Sequence, residues 1–108
     1  MKKPPYVSHY LVLKDLIDGV DVRQYSDIVV YLTSRIENIK VDLVKNGIKF
    51  IEDITKASKY SIYKPYILYP SLENINNAKK ILELYKTDEV LKFLELKQII
   101  SDESHREY

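Results

Sequence analysis

The sequence predicts an α+β domain that is mainly α, and three observations predict it. Leu32, Ile36, Ile39 and Leu43 recur at intervals of four, three and four, which is the apolar stripe of an amphipathic helix. Two segments rich in β-forming residues, "GIKFIED" and "YSIYKPYIL", flank the polar stretch "ITKASK" and read together as a hairpin. After "YPS" the helical pattern returns, first with Leu72, Ile75, Ile81, Leu82 and Tyr85 and then with "DEVLKFLELKQII".

Each element carries its own local signal. Near the start, Val7, Tyr10, Leu11, Leu13 and Ile17 follow roughly helical spacing, with Ser8 a candidate N-cap and Gly19 a natural C-terminal stop. Asp21 offers a cap for a short second helix, and Gln24 stands three residues on, where a capping box needs it. From Ser26 the pattern is clearest and runs to Asn46 and Gly47, so one long helix is expected from about Asp27 to Lys45. Opposite its stripe lie Ser34, Glu37, Asn38, Val41 and Lys45, with Arg35 and Lys40 on the flanks.

In the hairpin, Tyr60, Tyr63, Tyr66 and Tyr69 are spaced by three, a period that belongs to neither a strand nor an α-helix. Strand alternation followed by a break at Pro65, where the ladder loses a donor, accounts for that spacing without a shared role for the phenols. Ser71 and Thr87 then cap two successive helices, the second with acids in its first turn as the helix dipole favours. The expected plan is a domain over residues 1–70, a helical extension over 71–100 and a polar tail over 101–108.

At 108 residues the chain has room for one modest core, and its 45% apolar and 31% charged content is that of an ordinary globular domain. No apolar run approaches a bilayer span, and "MKKPPYVSHYLVLKDLIDG" lacks the uninterrupted hydrophobic region of a leader. With no cysteine, a disulfide framework and a thiolate nucleophile are excluded, which fits a cytoplasmic protein. The two histidines, His9 and His105, suggest no metal site or catalytic triad, and two glycines are too few for a glycine-rich phosphate loop. An enzyme is therefore not expected, nor is a cofactor or a small-molecule ligand. The net charge of +1 divides into +3 over residues 1–70 and −2 over 71–108, a mildly basic body with an acidic end.

Helix, short helix, longer amphipathic helix and hairpin, in that order, resemble the winged helix-turn-helix domains of small DNA-binding proteins of bacteria and their phages. Arg35-Ile36 in the third helix, Gly47-Ile48 before the first wing strand and the tyrosine-rich strand from Tyr63 to Leu68 carry the resemblance, which spans residues 7–69. It departs from the family in the short stretch after Gly19 and in the absence of glycine between the second and third helices.

The resemblance implies a two-stranded wing, ahead of the two additional C-terminal helices read from the residue pattern, and a recognition helix whose N-terminal half meets the bases in the major groove. Ser34 and Asn38 then suit base contacts, Asn pairing bidentately with adenine. Tyr31 and Thr33 would hold phosphates, Arg35, Lys40 and Lys45 would fix register on the backbone, and Lys56 and Lys59 would reach out from the hairpin tip. Double-stranded DNA is the expected partner of a small transcriptional regulator or mobile-element accessory protein, with residues 71–100 serving homodimerisation. The alternative is a winged-helix module that binds protein, favoured by the near-neutral charge and by Val41 on the exposed face.

Overall fold

A computed structural model describes residues 4–23, 31–52, 54–57, 59 and 62–96. They form a small, mainly helical α+β fold with helices α1 (Val7–Ile17), α2 (Ile36–Lys45), α3 (Leu72–Tyr85) and α4 (88–96). The strands are β1 (Phe50–Ile51), β2 (Lys56–Ala57), β3 (Ile62–Tyr63) and β4 (Ile67–Leu68), paired antiparallel as β1 with β4 and β2 with β3. No helix among the described residues is long and apolar enough to cross a membrane.

The two glycines of the chain end the first two helices as their positions suggest. Gly19 (φ 80°) and Gly47 (φ 88°) both take the left-handed conformation that a side chain would resist. Around Gly19, the Val20 amide donates to the Asp15 carbonyl at 2.9 Å and the Gly19 amide to Leu16 at 3.3 Å; around Gly47, Ile48 and Gly47 donate to Leu43 and Val44 in the same pattern. These paired bonds use up carbonyls that each helix end would leave orphaned. Ser71 and Thr87 are caps as expected, their hydroxyls accepting from the amides of Asn74 (3.1 Å) and Val90 (3.2 Å).

Two expectations are corrected. Helix α1 starts at Val7 behind a left-handed Tyr6, so Ser8 lies inside the helix and is buried instead of capping it; this start carries Val7 into a cluster with Val90 and Phe93. The capping box expected between Asp21 and Gln24 falls on Gln24, which lies outside the described residues; Val22 is buried and bridges antiparallel to Tyr66, with the Tyr66 amide donating to the Val22 carbonyl at 2.7 Å. The single helix from Asp27 to Lys45 is interrupted. Leu32 takes a left-handed backbone (φ 59°) and Arg35 is the N-cap of α2, so residues 32–35 form a turn. Leu32 thereby leaves the stripe of Ile36, Ile39 and Leu43 and packs on the cluster of Val7, Val90 and Phe93, contact that offsets a backbone cost of about 1–2 kcal/mol.

The hairpin is irregular in the middle. Ile51 pairs with Ile67 in one ladder and Lys56 with Tyr63 in the other, so the registers of the two ladders are offset by one residue across Pro65. The described tyrosines of the spaced set have different surroundings. Tyr63 bonds Asp21, Tyr66 sets its ring edge-on to Phe50, and Tyr69 is exposed; Tyr60 lies outside the described residues.

Helix α3 packs on α1, and its Ala78 and Tyr85 join Leu13, Ile36, Leu43, Ile48 and Leu68 in the main core. The boundary expected at residue 70 thus runs through a continuous cluster, and the residues read as an extension complete the domain's own core; the tail over 101–108 is outside the described residues. Buried Asn74 fastens this helix to the hairpin. Its Oδ1 accepts from the Lys49 amide at 2.7 Å, while its Nδ2 donates to the Lys49 carbonyl at 2.8 Å and to the Tyr69 carbonyl at 2.9 Å. Replacing Asn74 with Ala deletes three bonds and should cost about 2 kcal/mol, lowering Tm by roughly 10 °C in thermal denaturation. A Tm within a degree or two of the parent would show that water substitutes for the amide.

Candidate nucleic-acid interface

The inward side of α2 is fixed by burial of Ile36, Ile39 and Leu43, which leaves Glu37, Asn38, Val41, Val44 and Lys45 facing outward. Immediately before it, Ser34 and Arg35 are exposed, and the Arg35 amide donates to the Thr33 hydroxyl at 3.1 Å, which stiffens the turn. Thr33, Arg35 and Asn38 line one shallow depression with Pro4, Pro5 and Tyr6. Of the residues expected to touch DNA, the structure therefore brings Thr33, Ser34, Arg35 and Asn38 together at the N-terminal end of α2 and leaves Lys45 exposed at the far end. Lys59 is exposed on the hairpin between β2 and β3.

Three candidates are engaged elsewhere. Tyr31 is buried and donates its hydroxyl to Asp15 at 2.8 Å; burial, then the hydrogen bond and charge of Asp15, push its phenol well above the ordinary tyrosine value. A phosphate cannot reach that hydroxyl without displacing core packing. Lys40 leans toward the hairpin, with Nζ 3.7 Å from Glu52 and 5.5 and 5.4 Å from the ring centres of Phe50 and Tyr66. Lys56 pairs with Asp21 at 2.9 Å.

Position of α2 depends on a contact the sequence does not advertise. His9 Nε2 lies 2.9 Å from Asp42 Oδ2, joining α1 to the outer flank of α2. The imidazole is flanked by the rings of Tyr6 (5.5 Å between centres) and Tyr85 (5.4 Å), which themselves stack at 5.2 Å. Burial, followed by the charge of Asp42 and by Tyr6, raises the Tyr85 phenol. Residues 9, 42 and 85 come from three helices, and no spacing rule relates them.

The segment after α1 is clamped to the hairpin. Asp21 accepts from Lys56 Nζ at 2.9 Å and from the Tyr63 hydroxyl at 3.1 Å, and the Arg23 guanidinium lies 3.6 Å from the centre of the Tyr63 ring. The hydrogen bond from Lys56 holds the Asp21 carboxyl below its usual value, opposed by partial desolvation and helped by Tyr63. A depressed folded-state value adds stability above the unfolded-state value of about pH 4, and that stability is lost as pH falls through the lower, folded-state value. Asp21→Asn should accordingly melt below the parent at pH 6, with the gap closing as both are taken to strongly acid pH; a gap independent of pH would assign the loss to packing alone. Comparison of the chain with family models, curated proteins and solved structures finds no match.

Proposed function

We propose that this chain is a winged helix-turn-helix protein that binds double-stranded DNA in the cytoplasm, with α2 as the recognition helix and the hairpin as the wing. The observation that carries the reading is the arrangement around α2: an exposed turn and N-terminal end bearing Thr33, Ser34, Arg35 and Asn38, followed directly by a hairpin that the Val22–Tyr66 bridge fastens to the segment after α1. At ten residues, α2 is about 15 Å long, enough to lie across a major groove with its N-terminal side chains at the base edges. Asn38 has the side chain for adenine, while Arg35 and Lys45 reach toward phosphates on either side. Occupancy of a site by such a protein regulates transcription or assists a mobile element by blocking or recruiting other machinery.

Val41 and Val44, 45% and 50% exposed on the same helix, favour a second reading in which α2 docks on a protein. Fluorescence anisotropy of mixed-sequence duplex DNA separates the two. On the DNA reading the affinity falls steeply as salt rises from about 50 to 200 mM; no binding at the lower salt would make the protein-binding reading the better one. Asn38→Ala should weaken binding to a selected site by about 1–3 kcal/mol with an unchanged circular dichroism spectrum. Unaltered affinity would reject α2 as the reading element.

The proposal extends to a homodimer. Leu72 and Leu84 of α3 and Leu91 and Leu96 of α4 remain exposed after the core is filled, and a two-fold pair would present two copies of α2 to a palindromic site. Cutting the chain at residue 70 would strip Ala78 and Tyr85 from the core, so a point change is the proper test. Sedimentation should show a dimer for the parent and a monomer for the double variant Leu84→Lys, Leu91→Lys. A dimer in both would place the contact on another surface.

A further inference from the structure

The turn over residues 32–35 is held at both ends by the main core and at Leu32 by a second cluster. Tyr31 and Ile36, which flank the turn, are buried in the main cluster, whereas Leu32 packs on Val7, Val90 and Phe93. Helix α4 supplies two of those three buried residues, and its partly buried Leu94 joins them. Leu32 has a left-handed backbone (φ 59°), which a leucine holds only where packing outweighs the crowding of its Cβ. That reversal separates α2 from Tyr31 and sets the direction of Thr33, Ser34 and Arg35; the bond from the Arg35 amide to the Thr33 hydroxyl belongs to it. The sequence carries an alternative. Leu32 stands four residues before Ile36, where a right-handed backbone would return it to the stripe of Ile36, Ile39 and Leu43 and swing Ser34 and Arg35 round with it.

We propose that Val90 and Phe93 act through Leu32 as positioning residues, so that α4 is a brace that sets how the exposed turn presents Ser34 and Arg35. With α4 docked, its apolar side chains cover Leu32 and the left-handed turn persists. With α4 displaced, Leu32 loses that cover, the turn relaxes toward right-handed backbone, and Ser34 and Arg35 change direction relative to α2. The turn thus has two discrete arrangements, and docking of α4 biases the choice between them. A cluster of three buried residues is a small footing beside the main core, so the brace opens locally at less cost than the whole fold. The brace itself rests on this packing alone; its effect on DNA binding rests on the reading of α2 as the recognition helix.

Full-length parent, Phe93→Ala, Leu32→Gly and the double variant are compared by amide hydrogen exchange and by titration of mixed-sequence duplex DNA at low salt, with circular dichroism recorded for each. Phe93 lies outside the main cluster, so its truncation should keep the fold; Val90→Ala probes the same contact with a smaller change, and Phe93→Leu keeps the apolar cover as a control. Phe93→Ala should speed exchange of the Arg35 amide about tenfold, the scale of a left-handed leucine's backbone cost, and weaken duplex binding about threefold or more. The Ile48 amide, bonded to Leu43 in the main core, should exchange as in the parent. In the Leu32→Gly background, where glycine takes the same backbone without support, Phe93→Ala should alter neither Arg35 exchange nor affinity. Phe93→Leu should stay near the parent in both. Equal acceleration at Arg35 and Ile48, or a Phe93→Ala effect of the same size with and without Leu32, overturns the brace. Faster exchange at Arg35 with unchanged duplex affinity rejects its role in presenting the turn to DNA. A parent that does not bind duplex removes the DNA reading, and the exchange data alone then decide the brace.

Discussion

The buried amide of Asn74 is the constraint on which the rest of the architecture depends. Hairpin edges and helix ends both present backbone groups that burial makes costly, and one side chain here satisfies groups from two places on the hairpin at once. By taking the Lys49 amide and carbonyl and the Tyr69 carbonyl, Asn74 acts as an added rung beyond β1 and β4, where the Tyr69 amide also donates to Lys49. The helix that carries it is then held with Ala78 and Tyr85 in the main core. Without that docking, the apolar face of α1 would lose its cover and α2 its support from behind.

From this anchor, two polar contacts set how α2 and the hairpin are presented. His9 and Asp42 tie the flank of α2 to α1, with the rings of Tyr6 and Tyr85 packed about the imidazole. Asp21 does the corresponding work for the hairpin, whose two-residue ladders are too short to stand alone. Lys40 and Lys56, which would otherwise add to a basic surface, face Glu52 and Asp21, and the outward face of α2 sets Glu37, Asn38 and Lys45 beside Val41 and Val44. A face of that kind relies on shape and on a few directed hydrogen bonds more than on bulk attraction.

The candidate site was partly legible from residue order. Asn38 and Lys45 are exposed as a helical stripe at Ile36, Ile39 and Leu43 requires, because once one face of a helix is buried the opposite face follows from geometry, whereas Ser34 and Arg35 are exposed in the turn before the helix. Tyr31 was not legible. It stands one residue before Leu32, and its burial follows from the left-handed turn there, which a periodic pattern running through Leu32 conceals. The stacking of Arg23 on Tyr63 was not legible for a related reason: the ring lies across the fold on the hairpin, and no local motif joins the two.

What the sequence by itself determined are the features decided within a turn or two of chain. Gly19 and Gly47 stop helices because glycine alone takes their backbone without strain, Ser71 and Thr87 start them because a hydroxyl reaches an amide three residues on, and the hairpin follows from β-rich runs around a polar loop. Tertiary structure alone decided which partner each polar group would take. Asp21 bonds Tyr63 across 42 positions, His9 meets Asp42 across 33, and Asn74 meets Lys49 across 25. Local spacing cannot express such choices, since they depend on which surfaces the buried apolar residues bring together, and a buried polar group takes whatever partner that packing supplies.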